Sequence, residues 1–167
     1  MNIKTVVVGQ LQENCYIVEK DDNCIIIDPG DEVEKIISEI DKKVIGILIT
    51  HHHFDHIGAL DELKEKYNVP VNNFDVINFN FDVIETPGHT SDSLTFYFKD
   101  EKVMFVGDFI FKDGIGRMDL PTGNINDMKN SLKKIFTYPL DTYIYPGHGS
   151  ISTLKEEKQN ITKYHII

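Results

Sequence analysis

Val44-Ile45-Gly46-Ile47-Leu48-Ile49-Thr50-His51-His52-His53-Phe54-Asp55-His56 is the stretch on which the reading of this chain turns. Residues 44–50 form a nearly continuous apolar run, the pattern of a strand buried on both faces. Histidines and an aspartate follow at once. An affinity tag is excluded, because the run lies inside the chain between a buried strand and a helical pattern. A solvated loop leaves the interleaved Asp55 unexplained. Imidazole nitrogen and carboxylate oxygen suit zinc, iron or manganese, and the lack of cysteine disfavours a structural zinc site. Ligands two positions apart do not share a helix face, so the segment is expected to be extended or looped.

Three further apolar runs end in the same kind of residue. Residues 83–86 lead into Pro87-Gly88-His89, residues 103–107 into Asp108, and residues 142–145 into Pro146-Gly147-His148. Donors delivered from several strand ends can converge at a sheet edge, where α/β enzymes build their sites. His51, His53, His56, His89 and His148, five of the seven histidines, take part in this pattern. His52 reads as a spacer, and His165 stands apart.

The remaining elements alternate. Strands are expected at 3–8, 14–19, 24–28, 93–98 and 103–107, the last two joined by the turn Lys99-Asp100-Glu101-Lys102, with short strands inside 69–86. Val33, Ile36, Ile37 and Ile40 have helical spacing, as do Ile57, Leu60, Leu63 and Tyr67. A third helix over 124–136 should bury Ile125, Met128, Leu132, Ile135 and Phe136. The charged tail from 153 is expected to be helical. No solenoid repeat and no linker divides the chain, so residues 1–167 read as one domain of mixed α/β class, with sheets face to face and helices outside.

Composition narrows the function. The chain has 167 residues, 41% hydrophobic and 26% charged, which is ordinary for a globular domain. A net charge of −10 disfavours nucleic acid and anionic membrane as partners, since both require a cationic surface. No apolar run reaches the ~20 residues of a spanning helix, and the first residues contain no signal-peptide core. Cys15 and Cys24 lie in apolar strand patterns without a CxxC pair, so buried free thiols and a cytoplasmic location are expected.

These motifs together resemble the metallo-β-lactamase superfamily over nearly the whole chain. The HxHxDH motif stands here as His51-His52-His53-Phe54-Asp55-His56. It is followed in order by Thr86-Pro87-Gly88-His89-Thr90, Gly107-Asp108 and Pro146-Gly147-His148-Gly149. Asn14-Cys15-Tyr16, Ile27-Asp28-Pro29-Gly30, Gly116-Arg117-Met118-Asp119-Leu120 and Pro121-Thr122-Gly123 are similar to the short glyoxalase II (hydroxyacylglutathione hydrolase) branch. The resemblance implies a four-layer αββα sandwich with two adjacent divalent metals. Zinc is the expected metal, with iron or manganese as alternatives. His51, His53 and His89 would hold the first, Asp55, His56 and His148 the second, and Asp108 both. A hydroxide held between the metals toward Asp55 and Asp108 would attack a small-molecule thioester or related ester. Asp28 has two readings of equal weight, orienting a ligand imidazole or forming the turn before Pro29-Gly30.

The chain departs from the glutathione-specific enzymes at defined points. It ends before their extra helical domain, and Ser150 stands where they carry a glutathione-binding tyrosine. Arg117 matches a basic residue that contacts glutathione there, and a salt bridge with Asp119 or Asp113 explains it equally well. Ser91 and Ser93 lie in no GxSxG elbow and read as turn and strand residues. Two other readings remain. One is a persulfide dioxygenase with a single iron on His51, His89 and Asp108. The other is a non-enzymatic metal-binding or redox scaffold. A nuclease is disfavoured by the charge.

Overall fold

The structure, a computed structural model, describes residues 1–163, so His165 lies outside the described residues. The chain divides into two compact units, residues 1–80 and residues 81 onward. In the first unit β1 (Asn2–Val8), β2 (Glu13–Lys20) and β3 (Asn23–Ile27) form an antiparallel meander. The chain then crosses through helix α1 (Val33–Ser38) to β4 (Lys43–Leu48), which pairs parallel to β3. A parallel partner requires such a crossover. Side chains alternating along the strands, among them Val6, Val8, Ile17 and Ile26, make one core with Ile36 of α1 and with Leu63 of α3 (Leu60–Tyr67).

The second unit repeats the logic. Its sheet runs in the order β11 (Ser152–Thr153), β10 (Tyr143–Pro146), β7 (Val103–Gly107), β6 (Leu94–Phe98), β5 (Asp82–Glu85). Strands β5, β6 and β7 are antiparallel neighbours, whereas β10 lies parallel to β7. Between β7 and β10 the chain makes a small hairpin, β8 (Ile110–Phe111) and β9 (Gly114–Ile115), and then helix α4 (Ile125–Ile135). Helix α5 (Leu154–Lys163) follows β11. Met128, Leu132 and Ile135 of α4 join Met104, Val106 and Ile144 of the sheet and Leu154 and Ile161 of α5 in the second core.

Four expectations change. Residues 57–67 do not make one helix. Helix α2 (Phe54–Ile57) stops at Gly58, and the Ala59 amide donates to Pro29 O at 3.0 Å instead of continuing the helical ladder. Asp55 and His56 thus sit in a helical turn, so only the first half of the histidine segment is extended. Residues 69–81 contain no strand beyond an isolated bridge from Val71 to Ile47. Ile125 is 55% exposed, because it occupies the first position of α4, while Met128, Leu132 and Ile135 carry the buried stripe and Ser131 Oγ donates to Pro87 O at 2.7 Å. Asn124 caps this helix by accepting from the amides of Asn126 and Asp127.

Leu132 is fully buried at the middle of the stripe. Leu132→Ala is expected to lower unfolding stability by about 2–5 kcal/mol through lost burial and a residual cavity. Urea denaturation of the two proteins checks this.

Candidate metal centre

Strand β4 ends at Leu48, and its last bonds pass from the sheet to side chains. Ile49 N donates to Asn72 Oδ1 at 2.7 Å, and Thr50 N donates to Asp28 Oδ1 at 2.7 Å. This turns the chain out of the sheet and into the histidine segment. Asp28 follows β3 with φ 49°, one of the non-glycine residues in the left-handed region, a conformation that Asp tolerates through local hydrogen bonding.

Asp28 is the hub of the first unit's site. Its Oδ2 accepts from the Thr50 hydroxyl at 2.5 Å and lies 3.0 Å from His56 Nδ1. Since Thr50 Oγ1–H points to Asp28, its oxygen accepts from His51 Nδ1–H at 3.1 Å. One carboxylate therefore sets the tautomer of two imidazoles, placing the Nε2 lone pairs of His51 and His56 on the opposite side of each ring. The Asp28 carboxylate is thus engaged by Thr50 and His56, which suits the orienting reading of this residue rather than the turn-forming one.

His51 Nε2 and His53 Nδ1 approach to 3.2 Å. Two nitrogens on one tetrahedral zinc at ~2.0–2.1 Å would be about 3.3 Å apart, so the pair fits two donors of one ion. Asp55 Oδ2 lies 3.9 Å from His56 Nε2. His51 and His56 are buried, whereas His52 is exposed, as a spacer should be. Phe54, inside the same motif, is 74% exposed.

In the second unit Asp108 follows β7 directly. Its Oδ2 lies 3.6 Å from His89 Nε2 and its Oδ1 lies 3.6 Å from His148 Nε2. The two oxygens of one carboxylate thus face two different histidines. The β8–β9 hairpin returns the chain so that Arg117 O accepts from His89 Nδ1–H at 2.7 Å, which again aims Nε2 at the carboxylate. The Arg117 guanidinium is exposed and grips Asp119 through two bonds, Nε to Oδ1 at 2.7 Å and Nη2 to Oδ2 at 2.6 Å. That contact pulls the Asp119 carboxyl down to about 2.

Sequence reasoning missed Glu13, Thr50 and the carbonyl of Arg117. Thr50 left a trace as the polar residue that ends a buried strand. A backbone carbonyl leaves none.

The family model of the metallo-beta-lactamase superfamily matches residues 8–81 and 73–148. The chain belongs to the metallo-beta-lactamase superfamily. It is similar to the probable metallo-hydrolase YqgX of Bacillus subtilis, with 34% identity over 96% of this chain and 96% of that one. It is also similar to the hydroxyacylglutathione hydrolase GloC of Haemophilus influenzae, at 31% identity with the same coverage of each chain. Among solved structures, a di-iron-bound form of TTHA1623 superposes with a TM-score of 0.86 at 32% identity, covering 94% of this chain and 98% of that one. The metallo-β-lactamase fold expected from the motifs is therefore the fold of this chain, and the chain is a metallo-hydrolase of that superfamily with His and Asp groups suited to divalent metal. Among the described residues no helix is long and apolar enough to cross a membrane.

Proposed function

We propose that this superfamily member is a binuclear metallohydrolase that cleaves thioesters, and that residues 1–167 act as a single domain in doing so. The observation that carries the reading is Asp108, whose two oxygens each face a separate histidine at 3.6 Å. A carboxylate so placed suits a ligand shared by two ions. His51, His53 and His89 are the proposed donors to one metal, and Asp55, His56 and His148 to the other. Zinc is the proposed ion, and the di-iron form of the related structure supports a two-metal site while naming iron as its rival.

Divalent metals bound there lower the pKa of a water from 15.7 toward ~7 and polarise a carbonyl. The chain's own residues do the rest. Asp28 and Thr50 hold the imidazoles of His51 and His56 in the tautomer that leaves Nε2 as donor. Asp55 and Asp108 are the carboxylates proposed to orient the attacking water, and Asp55 the one proposed to receive its proton. Arg117 is the residue proposed to meet a substrate carboxylate, a role in which that group would take the place of Asp119. The name of the Haemophilus relative supports thioester hydrolysis. Ser150, at the position of a glutathione-binding tyrosine in the branch this chain resembles, favours a thiol carrier other than glutathione. The two free, buried thiols, Cys15 and Cys24, agree with a cytoplasmic site of action.

Metal quantification together with a panel of thioesters, lactones and persulfides tests the proposal. Close to two zinc ions per chain and turnover of thioesters above the other classes are expected. A single iron per chain with oxygen uptake on a persulfide would replace this reading by a persulfide dioxygenase. Bound metal without turnover of any class would replace it by a scaffold.

A further inference from the structure

A second buried carboxylate stands behind His56. Glu13 opens β2, is 1% exposed, and brings Oε1 to 3.7 Å from His56 Nδ1, the nitrogen that Asp28 Oδ2 already meets at 3.0 Å. His56 itself has no exposed surface. Gly30 leaves room for Glu13, since a Cβ there would come within 2.6 Å of Oε2. The histidines of the other proposed metal are backed differently. His89 Nδ1–H meets the neutral carbonyl of Arg117, and His51 Nδ1–H meets the neutral hydroxyl of Thr50.

We infer that Glu13 is a positioning residue for the His56 metal: with Asp28 it backs one imidazole with two buried carboxylates and makes the Asp55–His56–His148 site the tighter of the two for a dication. This rests on the two-metal reading above. Negative charge behind a ligand imidazole raises its basicity, and the interaction is strengthened by burial, where screening by water is weak. The field of the pair reaches the neighbouring strand residue. The Cys15 thiol is raised well above its ordinary value, first by burial and then by the charges of Glu13 and Asp28. Taking two carboxylates out of water is costly, and a dication on His56 would offset that cost, so the arrangement favours metal binding over stability of the metal-free chain.

Glu13→Gln keeps the shape and removes the charge. Chelator-competition titrations with zinc should show the tighter stepwise constant falling about tenfold to a hundredfold, the usual effect of removing such a backing group. The looser constant should move less. Thermal melting of the metal-free protein should be unchanged or raised, which a merely structural glutamate would not produce. Glu13→Asp retains the charge and should keep the tighter constant within about threefold of the parent, a comparison that still decides the matter if E13Q fails to fold. Unchanged constants in E13Q overturn the inference. So does a melting temperature that falls in step with them, a loss confined to the looser constant, or an E13D protein as weak as a charge-free one. Fewer than two zinc ions on the parent protein would instead remove the two-metal reading, whatever Glu13 does.

Discussion

Asp108→Ala is expected to abolish the thioester hydrolysis proposed above, with a loss of at least about a thousandfold in kcat/KM, because in the proposed two-metal site several kcal/mol of metal-derived stabilisation would depend on the ions being held together. Asp108 follows β7 immediately, and its oxygens lie 3.6 Å from His89 Nε2 and 3.6 Å from His148 Nε2, so deleting the carboxylate removes a group that addresses both imidazoles. Metal content should fall from near two ions per chain, measured by elemental analysis beside the kinetics. The fold should survive, since the side chain is small and sits at a strand end rather than in either core. A variant that keeps substantial hydrolysis would sink the binuclear mechanism. One that loses activity while retaining two ions would leave Asp108 its water-orienting role and remove its role as a ligand.

Gly30→Ala is expected to be nearly as damaging, and by a mechanical route. A Cβ on Gly30 would lie 1.9 Å from the backbone oxygen of Asp55 and 2.6 Å from Glu13 Oε2. Backbone cannot rotate aside as a side chain can, so the helical turn that carries Asp55 and His56 must shift. The opposing surface is equally bare, since a Cβ on Gly58 would meet Gly30 O at 2.2 Å. Overpacking of this kind costs about 3 kcal/mol, and a displacement of 1 Å at a catalytic constellation can cost about a hundredfold in rate. Lower denaturation midpoints and weakened zinc binding are both expected, read by urea titration and chelator competition. Full stability and full metal affinity in Gly30→Ala would show that the two backbone segments are not in tight apposition.

Much of the fold was legible because each signal is local. The apolar run at 44–50, the helical spacing of Met128, Leu132 and Ile135, and the turn at Lys99–Lys102 all record the period of a single element. The places where expectation failed share a cause. The helix read over 57–67 breaks at Gly58 because the Ala59 amide is taken by Pro29 O, a residue thirty positions earlier. Of the short strands expected within 69–86, β5 forms at Asp82–Glu85, while residues 69–81 keep only one bridge because Asn72 turns its side chain to Ile49 and joins that edge by side-chain bonds. Ile125 has the right spacing but lies at the helix end, beyond the reach of the core.

By itself the sequence determined that His and Asp side chains suited to a divalent metal stand beyond strand ends, because a metal needs particular atoms and those atoms belong to particular residues. It also determined the superfamily, through four motifs in order. Tertiary structure alone decided which atom faces which. Asp28 reaches Thr50 and His56 across more than twenty positions, Arg117 turns a carbonyl rather than a guanidinium to His89, and Asp108 divides its oxygens between two histidines. It also placed Glu13, which reads in sequence as an ordinary polar residue at the start of a strand, in the interior beside His56. Periodicity reports how one element divides into faces. The direction of a carboxylate or the return of a distant carbonyl depends on how the chain comes back to itself, and no local pattern encodes that.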